Sequence, residues 1–306
     1  MAITTIPGAS NSDLTTLLGT TGADTITTSR TSKTLATGRA GTDTITFSAS
    51  ASDSESYGGK GNDTISYQLA ATNVLISGDL GVDTMSVTRD ADNVTMNGGD
   101  GNDFLTFSAA ATNVSADGGI GDDTFAVTGV SNNSIFYGRG DRDGFTFTGA
   151  FKNSTVYGGK AVDTVNVAAA ENALIRGDDG NDVLNVTGTL SNVFVSGNAG
   201  DDDINVSSAS TSKTSIYGGK GVDTIDKTNA GAVYINGGND GDTINANVSA
   251  SHSIYGGSGN DTINATGGGK NILNGEVGND NITAGGGKDT ISGGTGNDTI
   301  DGAGGN

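Results

Sequence analysis

An aspartate ends a glycine-rich turn at regular intervals along this 306-residue chain, and these turns are where the sequence places its chemistry. Residues 58–63 read Gly-Gly-Lys-Gly-Asn-Asp, and the strand-like residues 64–67, Thr-Ile-Ser-Tyr, follow them. Glycine permits a tight curl in which several backbone carbonyls converge. A carboxylate and converging carbonyls are the oxygen ligands that Ca²⁺ takes. We therefore predict multiple calcium sites, one in each turn.

The aspartate keeps a single phase over the whole chain. It returns every 19 to 21 residues up to Asp280 and every nine residues after it. An apolar residue always follows two positions later, and a glycine precedes by five positions except at Ala284. A solvated acidic surface does not require such a phase, whereas stacked metal sites do. The predicted ligand carboxylates are those of Asp24, Asp43, Asp63, Asp83, Asp103, Asp123, Asp143, Asp163, Asp182, Asp202, Asp223, Asp242, Asp261, Asp280, Asp289 and Asp298.

Three turns depart from this pattern. Asp141 replaces the fourth-position glycine of one turn, and Arg142 lies beside its aspartate. Ala161 and Val162 replace Gly-Asn in the next turn, and Asp240 replaces the glycine of a third. We predict weak or empty sites in these three turns.

Each repeat also contains two short strand patterns. Ile65 and Tyr67 alternate with polar residues after the turn, and Val74 and Ile76 do so before the next turn. This period of two is typical of half-buried strands. Two strands and two turns make one coil of a flattened solenoid with parallel ladders. The predicted fold is all-β, a parallel β-helix or β-roll with about 20 residues per coil, shortening to 18 as two nine-residue half-coils at the C-terminus.

A second polar column falls in the opposite turn, about ten residues after each aspartate. Asparagine tolerates the left-handed backbone of a tight turn, and its amide can hydrogen-bond from coil to coil. We interpret the column as a structural ladder, and an exposed array that recognises a ligand is the alternative. Its members are Asp53, Asn73, Asn93, Asn113, Asn133, Asn153, Asn172 and Asn192.

The composition limits the classes of partner. A formal net charge of -20 disfavours nucleic acid and anionic membrane surfaces, which need Lys and Arg. No apolar run has the length of a membrane-spanning helix, so membrane insertion is not expected. The chain has no Cys, and its first residues lack the basic and apolar regions of a Sec signal peptide. Export by a non-Sec route is therefore expected.

Residues 293–301, Gly-Gly-Thr-Gly-Asn-Asp-Thr-Ile-Asp, match the nonapeptide of the repeats-in-toxin (RTX, hemolysin-type calcium-binding) proteins. Residues 256–264 and 58–66 resemble it as closely, and the resemblance extends from Gly19 over nearly the whole chain. It implies a right-handed parallel β-roll, type I secretion and folding triggered by extracellular calcium. It also implies that Asp63, Asp261 and Asp298 are ligands. The turn residues implied with them are Gly58, Lys60, Gly61, Gly256, Ser258 and Gly259.

The sequence departs from that family in two respects. In the family two nonapeptides make one coil with calcium on both edges, whereas the longer repeat of residues 19–274 has one such edge. A second line of calcium is expected only near Gly275. We therefore expect a cap or assembly segment in 1–18, a solenoid in 19–274 and nonapeptide repeats in 275–306. No amphipathic tail follows Asp301, so either the chain is a fragment or its secretion signal is not recognisable.

Catalysis is not expected. His252 is the sole histidine, whereas a zincin-type site needs two, and a Ser-His-Asp triad would have to use it. We interpret His252 as a surface residue. Ice binding is another alternative, but the outward row of Thr44, Thr64 and Thr84 is interrupted at Phe104.

These observations favour a secreted structural protein that self-associates head-to-tail or laterally into a surface layer or filament. The ends of the solenoid stop within the repeat, and open β-edges favour axial stacking. The alternative is a calcium-stiffened spacer or secretion module of a larger adhesin, toxin or enzyme. A cell-surface polysaccharide is a second candidate partner. Tyrosines before the glycine turns are either lateral contacts or ordinary strand residues, namely Tyr57, Tyr137, Tyr157, Tyr217 and Tyr255.

Overall fold

The computed structural model describes residues 2–4, 14–229, 231–246 and 250–304. Most of the predicted N-terminal cap, residues 5–13, lies outside this part of the chain. The chain divides into two compact units, Met1–Val156 and Tyr157–Asn306. Among the described residues every regular element is a β-strand, and no helix is long and apolar enough to cross a membrane.

The first unit is a parallel β-solenoid. Residues one coil apart face each other in register, as Thr64 does with Thr44 before it and Thr84 after it. Its strands are β1 (Ala2–Thr4), β2 (Thr15–Leu18), β3 (Thr25–Thr28), β4 (Thr34–Ala40), β5 (Thr44–Phe47), β6 (Ala51–Lys60), β7 (Thr64–Tyr67), β8 (Ala71–Leu80), β9 (Thr84–Val87), β10 (Ala91–Asp100), β11 (Phe104–Phe107), β12 (Ala111–Thr112), β13 (Ser115–Ile120), β14 (Thr124–Val127), β15 (Ser131–Asn132), β16 (Ile135–Gly140) and β17 (Gly144–Lys152).

The second unit repeats this architecture. Leu184 pairs in parallel with Val165 and with Ile204. Strand β18 (Thr155–Lys160) includes the boundary between the units. The remaining strands are β19 (Thr164–Asp179), β20 (Val183–Ala199), β21 (Asp203–Ser212), β22 (Thr214–Lys220), β23 (Thr224–Thr228), β24 (Val233–Asn239), β25 (Thr243–Asn245), β26 (Ser253–Ser258), β27 (Thr262–Ala265), β28 (Ile272–Val277), β29 (Asn281–Ala284), β30 (Thr290–Thr295) and β31 (Thr299–Asp301).

The coil shortens where the sequence predicts it. Thr262 pairs with Asn281, whereas Asn281 pairs with Thr299, a step that is one residue shorter along the chain. The all-β parallel solenoid, with the coil length predicted from the aspartate spacing and its shortening at the C-terminal end, is thus confirmed.

The core is a narrow stack of inward side chains. Ile65, Tyr67, Val74 and Ile76 are all buried, as the period of two predicts. Aromatic residues in this stack pack along the solenoid, and the rings of Phe47 and Tyr67 lie 4.2 Å apart. Each coil therefore buries few apolar groups, so the turns contribute more to stability than in a globular domain.

Among the described residues, two basic residues of the second unit are buried. Lys227 is fully buried, and its Nζ donates to the carbonyl oxygens of Thr228 and Asn229 at 2.8 and 3.0 Å. His252 is 2% exposed, so the interpretation of a surface histidine is wrong. His252 is buried because it occupies an inward turn position, which Val233 holds in the preceding coil. Its Nδ1 accepts a long hydrogen bond from the Val233 N–H at 3.4 Å.

The polar column of the second turn forms a ladder. Its members have φ angles of 46° to 55°, the left-handed region that asparagine tolerates. The Asn93 amide donates to Asn73 at 2.8 Å, and the Asn73 amide donates to Asp53 at 2.9 Å. The Asn113 amide instead donates to Asp92 at 3.0 Å. The Asn153 amide likewise donates to Asn132 at 2.9 Å. The structural interpretation of this column is therefore supported, with breaks in the ladder at Asn113 and Asn153.

Candidate metal centre

The turn aspartates point into the solenoid and bond to one another along it. The N–H of Asp63 donates to Oδ1 of Asp83 at 2.7 Å, and the N–H of Asp83 donates to Oδ1 of Asp103 at 2.7 Å. Each of the three side chains is at most 2% exposed. The same contact recurs at 2.8 Å between Asp242 and Asp261 in the second unit. One carboxylate oxygen is thus satisfied by the neighbouring coil.

The other carboxylate oxygen has no hydrogen-bond partner. A buried ionised carboxylate is costly when one oxygen is unpaired, because water no longer solvates it. Repetition of this cost in successive coils indicates a site for a cation rather than a local defect. The Oδ2 atoms concerned include those of Asp43, Asp63, Asp83, Asp103, Asp123, Asp182, Asp202, Asp223, Asp242, Asp261, Asp280 and Asp289.

Main-chain oxygens converge on the same point. A methyl group added to Gly58 would lie 2.5 Å from Oδ2 of Asp63 and 2.7 Å from the carbonyl oxygen of Gly78. The first turn position therefore requires glycine, because these two oxygens leave no space for a side chain. In the second unit the same crowding involves Gly256, which lies against Oδ2 of Asp261 and the carbonyl of Gly275. The arrangement brings together a carboxylate of one coil and a glycine carbonyl of the next.

The aspartate pKa values show how unfavourable an uncompensated column is. Burial, the largest cause, raises the pKa of Asp63 to about 7, and the nearby charges of Asp83 and Asp43 raise it further. The hydrogen bond from the Asp43 N–H acts in the opposite direction. Burial likewise raises the pKa values of Asp202 and Asp242 to about 8. A bound cation would favour the ionised carboxylates, because its positive charge offsets their negative charges.

Asp24 is an exception among the predicted ligands. Its Oδ2 accepts hydrogen bonds from the N–H of Thr20 at 2.5 Å and from the Thr20 hydroxyl at 2.8 Å. The bond from the Thr20 N–H is the largest cause that lowers the pKa of Asp24. This carboxylate is satisfied without a cation, because threonine replaces the second-position glycine of the turn.

The fourth turn position needs a left-handed backbone. Gly61 has a φ of 118°, a region that glycine adopts without steric cost. In the three departing turns Asp141, Ala161 and Asp240 are held at φ values of 67°, 69° and 70°. Non-glycine residues there store roughly 1–3 kcal/mol of strain each. The weak or empty sites expected in these turns stay a prediction, since their aspartates keep the buried position of the others.

Residues at the third turn position form other hydrogen bonds. The carbonyl of Lys60 accepts a hydrogen bond from the Gly41 N–H at 2.7 Å, so one of its lone pairs serves the ladder. The Ser258 hydroxyl donates to Asn239 at 3.0 Å. The ligand roles of Lys60, Ser258 and the fourth-position residues Gly61 and Gly259 stay predictions.

Asp289 lies on the opposite edge from the other aspartates. Its Oδ1 accepts a hydrogen bond from the Asn271 N–H at 2.7 Å, and Oδ1 of Asn271 accepts one from the His252 N–H at 3.0 Å. On the first edge the N–H of Asp280 donates to Oδ1 of Asp298 at 3.0 Å. The nonapeptide spacing thus places alternate aspartates on the two edges, where the sequence expects a second line to begin.

Among the first-position glycines, the sequence predicts Gly58 and Gly256 as ligand candidates but not the others, such as Gly78 and Gly275. Their signal in the sequence is the glycine that precedes nearly every turn aspartate by five residues. Within the described ranges no three His, Cys, Asp or Glu side chains gather as a metal cluster. A cation in these turns would therefore be held by one or two carboxylates and by main-chain oxygens.

A family model matches three segments of the chain. The RTX calcium-binding nonapeptide repeat is found in four copies, within residues 56–67, 253–269 and 274–306. These segments contain the turns of Asp63 and Asp261 and the C-terminal repeats that end at Asp298. No curated protein matches the chain.

Proposed function

This chain is an RTX-type repeat protein, and on that premise we propose that it is an extracellular structural protein folded and stiffened by Ca²⁺ ions between successive turns. The observation that carries the proposal is the buried, unpartnered Oδ2 atom that recurs from coil to coil. Ions held by the carboxylate of one turn and the glycine carbonyl of the next would connect neighbouring coils. The repeat match supports calcium as the ion.

The donor set fits calcium better than other metals. The converging atoms at Gly58 are a carboxylate oxygen and a main-chain carbonyl oxygen. Oxygen donors suit hard cations, whereas Zn²⁺ and Cu²⁺ prefer nitrogen or sulfur. Ca²⁺ tolerates irregular coordination, while Mg²⁺ requires near-octahedral geometry and retains water. These turns offer backbone carbonyls in a curled chain, which favours Ca²⁺.

The electrostatics of the column couple ion binding to folding. Without a cation, ionised carboxylates such as Asp202 and Asp242 are destabilised by burial and by the charges of neighbouring aspartates. Because the cation binds the folded coil and not the dispersed chain, its binding free energy becomes folding free energy. An extended chain exported by a type I route would then fold where calcium is millimolar. We propose secretion on this ground.

The proposed role is structural rather than catalytic. The proposed partners are calcium and further copies of this chain. Self-association would yield a surface layer or a filament. The same calcium-dependent coil would also serve as a spacer in a larger protein, and the two roles differ in whether the folded chain associates.

Far-UV circular dichroism and sedimentation in chelator, and then in about 5 mM calcium, test the proposal. We expect a disordered monomer to become β-structured and to associate on addition of calcium. The same concentration of magnesium is the matched control and should have a much smaller effect. A β-structured chain that stays monomeric would support the spacer, and a spectrum unaffected by calcium would overturn the proposal.

A further inference from the structure

A stripe of aromatic rings crosses one face of the second unit. It consists of Phe194, Tyr217, Tyr234 and Tyr255 on strands β20, β22, β24 and β26. Successive ring centroids lie 4.9, 5.5 and 5.3 Å apart, so the four rings form a continuous ladder along the coils. We call this set the aromatic stripe.

The aromatic stripe is not part of the core. Its side chains alternate along their strands with fully buried residues such as Ile216, Ile235 and Ile254. Phe194 is 39% exposed, and Ile272, on the next strand, is 48% exposed. Contiguous apolar surface of this kind marks an interaction site more often than single exposed residues do.

Other outward faces of the solenoid are built differently. On the strands after the turns of the second unit, the Asn264 amide donates to Asn245 at 2.8 Å in a polar ladder. In the first unit, Glu55 holds the strand position of Tyr234, three residues before a turn glycine. Asp117 there holds the position of Tyr217, one residue before the glycine, although Tyr57 and Tyr137 hold it in two other coils. What distinguishes the aromatic stripe is its run of aromatic residues in four successive coils.

The positions between its rings carry no charge. They are filled by Ser215, Asn236 and Ser253, although the whole chain has a net charge of -20. Two copies of such an acidic chain repel each other wherever their aspartates face. Close approach costs least across an uncharged face. Aromatic enrichment and charge depletion are also features of interface cores.

We propose that the aromatic stripe is the face on which a second copy of this chain docks, side by side and antiparallel. A two-fold interface uses the same patch on both copies. Arg176, which also forms an ion pair with Asp178 at 3.3 Å, lies one coil before Phe194, and Glu276 lies one coil after Tyr255. An antiparallel arrangement places Arg176 opposite the partner's Glu276 at both ends, so the stripe is self-complementary in charge.

Glycan binding is the competing explanation for a row of half-buried tyrosines. Sugars pack on the faces of aromatic rings, but the Phe194 and Tyr217 rings are stacked on each other with an interplanar angle of 24°. The facing sides of these two rings are therefore covered by each other, which leaves fewer open ring faces for a sugar. Tyr combines an apolar ring with a hydroxyl, which suits the packing of protein on protein.

The proposed docking face rests on the proposed calcium-dependent structural role, and one experiment tests the two separately. Sedimentation equilibrium of the full chain in millimolar calcium measures association, while circular dichroism of the same samples reports folding. The test variant combines Tyr217→Asn and Tyr234→Ser, which copy the residues of neighbouring coils, Asn236 and Ser215. The control is Tyr57→Ser, in the first unit. A sample that calcium does not fold would contradict the proposed function instead of this inference.

We expect the double variant to fold normally but to associate at least about 10-fold more weakly than the wild type, with the Tyr57→Ser control unchanged. Arg176→Glu should weaken association, and adding Glu276→Arg should restore it. Arginine is tolerated at position 276, because Arg139 occupies the same turn position at a positive φ. A folded wild type that is monomeric throughout would overturn the proposal. So would a double variant that associates normally, or a monomeric wild type retained on a neutral polysaccharide.

Discussion

The main-chain N–H of Asp63 donates to Oδ1 of Asp83 at 2.7 Å, while Oδ2 of Asp83 is buried without a partner. The two oxygens of one carboxylate therefore have different roles. Oδ1 joins neighbouring coils directly, and Oδ2 faces the glycine-lined space where a cation would bind. This division explains why aspartate, and not asparagine, recurs in the turn.

Replacing Asp63 by asparagine should remove one calcium site. In the wild type the Asp43 N–H donates to Oδ1 of Asp63 at 2.6 Å. The Asp63→Asn variant keeps an amide oxygen for this hydrogen bond but lacks the ionised Oδ2. In calcium we expect it to lose about 1–3 kcal/mol of unfolding free energy. In chelator the variant and the wild type should both be disordered, so the difference should appear only with calcium. Calorimetric calcium titration measures the loss of the site, and denaturant unfolding in calcium measures the loss of stability.

Asp53→Asn is the control, because Asp53 lies in the same coil on the opposite edge, where it accepts a bond from Asn73. Its calcium titration should match that of the wild type. Equal losses of affinity in both variants would contradict the assignment of Asp63.

Stability should depend on pH in opposite ways with and without calcium. Burial raises the pKa of Asp63 to about 7 and that of Asp202 to about 8, above the unfolded value near 3.9. Folding then takes up protons, so the calcium-free coil should gain stability as the pH falls from about 8 to 4. With calcium, protons compete with the ion and stability should fall over the same range. Far-UV circular dichroism in chelator should show β-structure increasing as the pH falls, and thermal unfolding in calcium should show a falling melting temperature. The same pH trend in both series would contradict this prediction.

Restoring the fourth-position glycine should stabilise the Ala161 turn. Ala161 is held at a φ of 69°, so Ala161→Gly removes about 1 kcal/mol of strain. We expect a higher melting temperature and tighter calcium binding. Ala199→Gly is the control, since Ala199 occupies a third turn position without a positive φ and should give no gain. A gain in the control alone would contradict this account.

A methyl group at the first turn position should block the calcium site. Gly58→Ala would place its methyl against Oδ2 of Asp63 and the carbonyl of Gly78. We expect weaker calcium binding and lower stability in calcium, both measured by calorimetry. Gly140→Ala is the control, because a methyl there would meet no atom within 4 Å. Calcium binding by Gly58→Ala at the wild-type level would show that this space is not the site.

The sequence predicts the coils because one phase governs every repeat. Ile65 and Tyr67 are buried as the alternation requires, and Asp289 moves to the second edge because nine residues make half a coil. The spacing alone cannot show which carboxylate oxygen stays unpaired. That depends on the 2.7 Å contact between Asp63 and Asp83, which is set by the register of neighbouring coils.

The burial of His252, which was predicted to lie at the surface, and of Lys227, for which no prediction was made, had a signal in the sequence. His252 is four residues before a turn glycine, the same phase as the buried Val233. Lys227 is four residues after a turn aspartate, the phase of Tyr67. Residue type suggested a surface position, but phase decides burial in a solenoid, because a shift by one residue would turn the whole strand over.

Anomalous diffraction from crystals of the calcium-loaded protein tests the central claim most directly. The account predicts peaks between successive turns of the first edge, each within about 2.3–2.6 Å of an aspartate Oδ2 such as that of Asp63 and of a glycine carbonyl oxygen such as that of Gly78. Peaks confined to outward carboxylates, or no peaks at these turns in millimolar calcium, would contradict it.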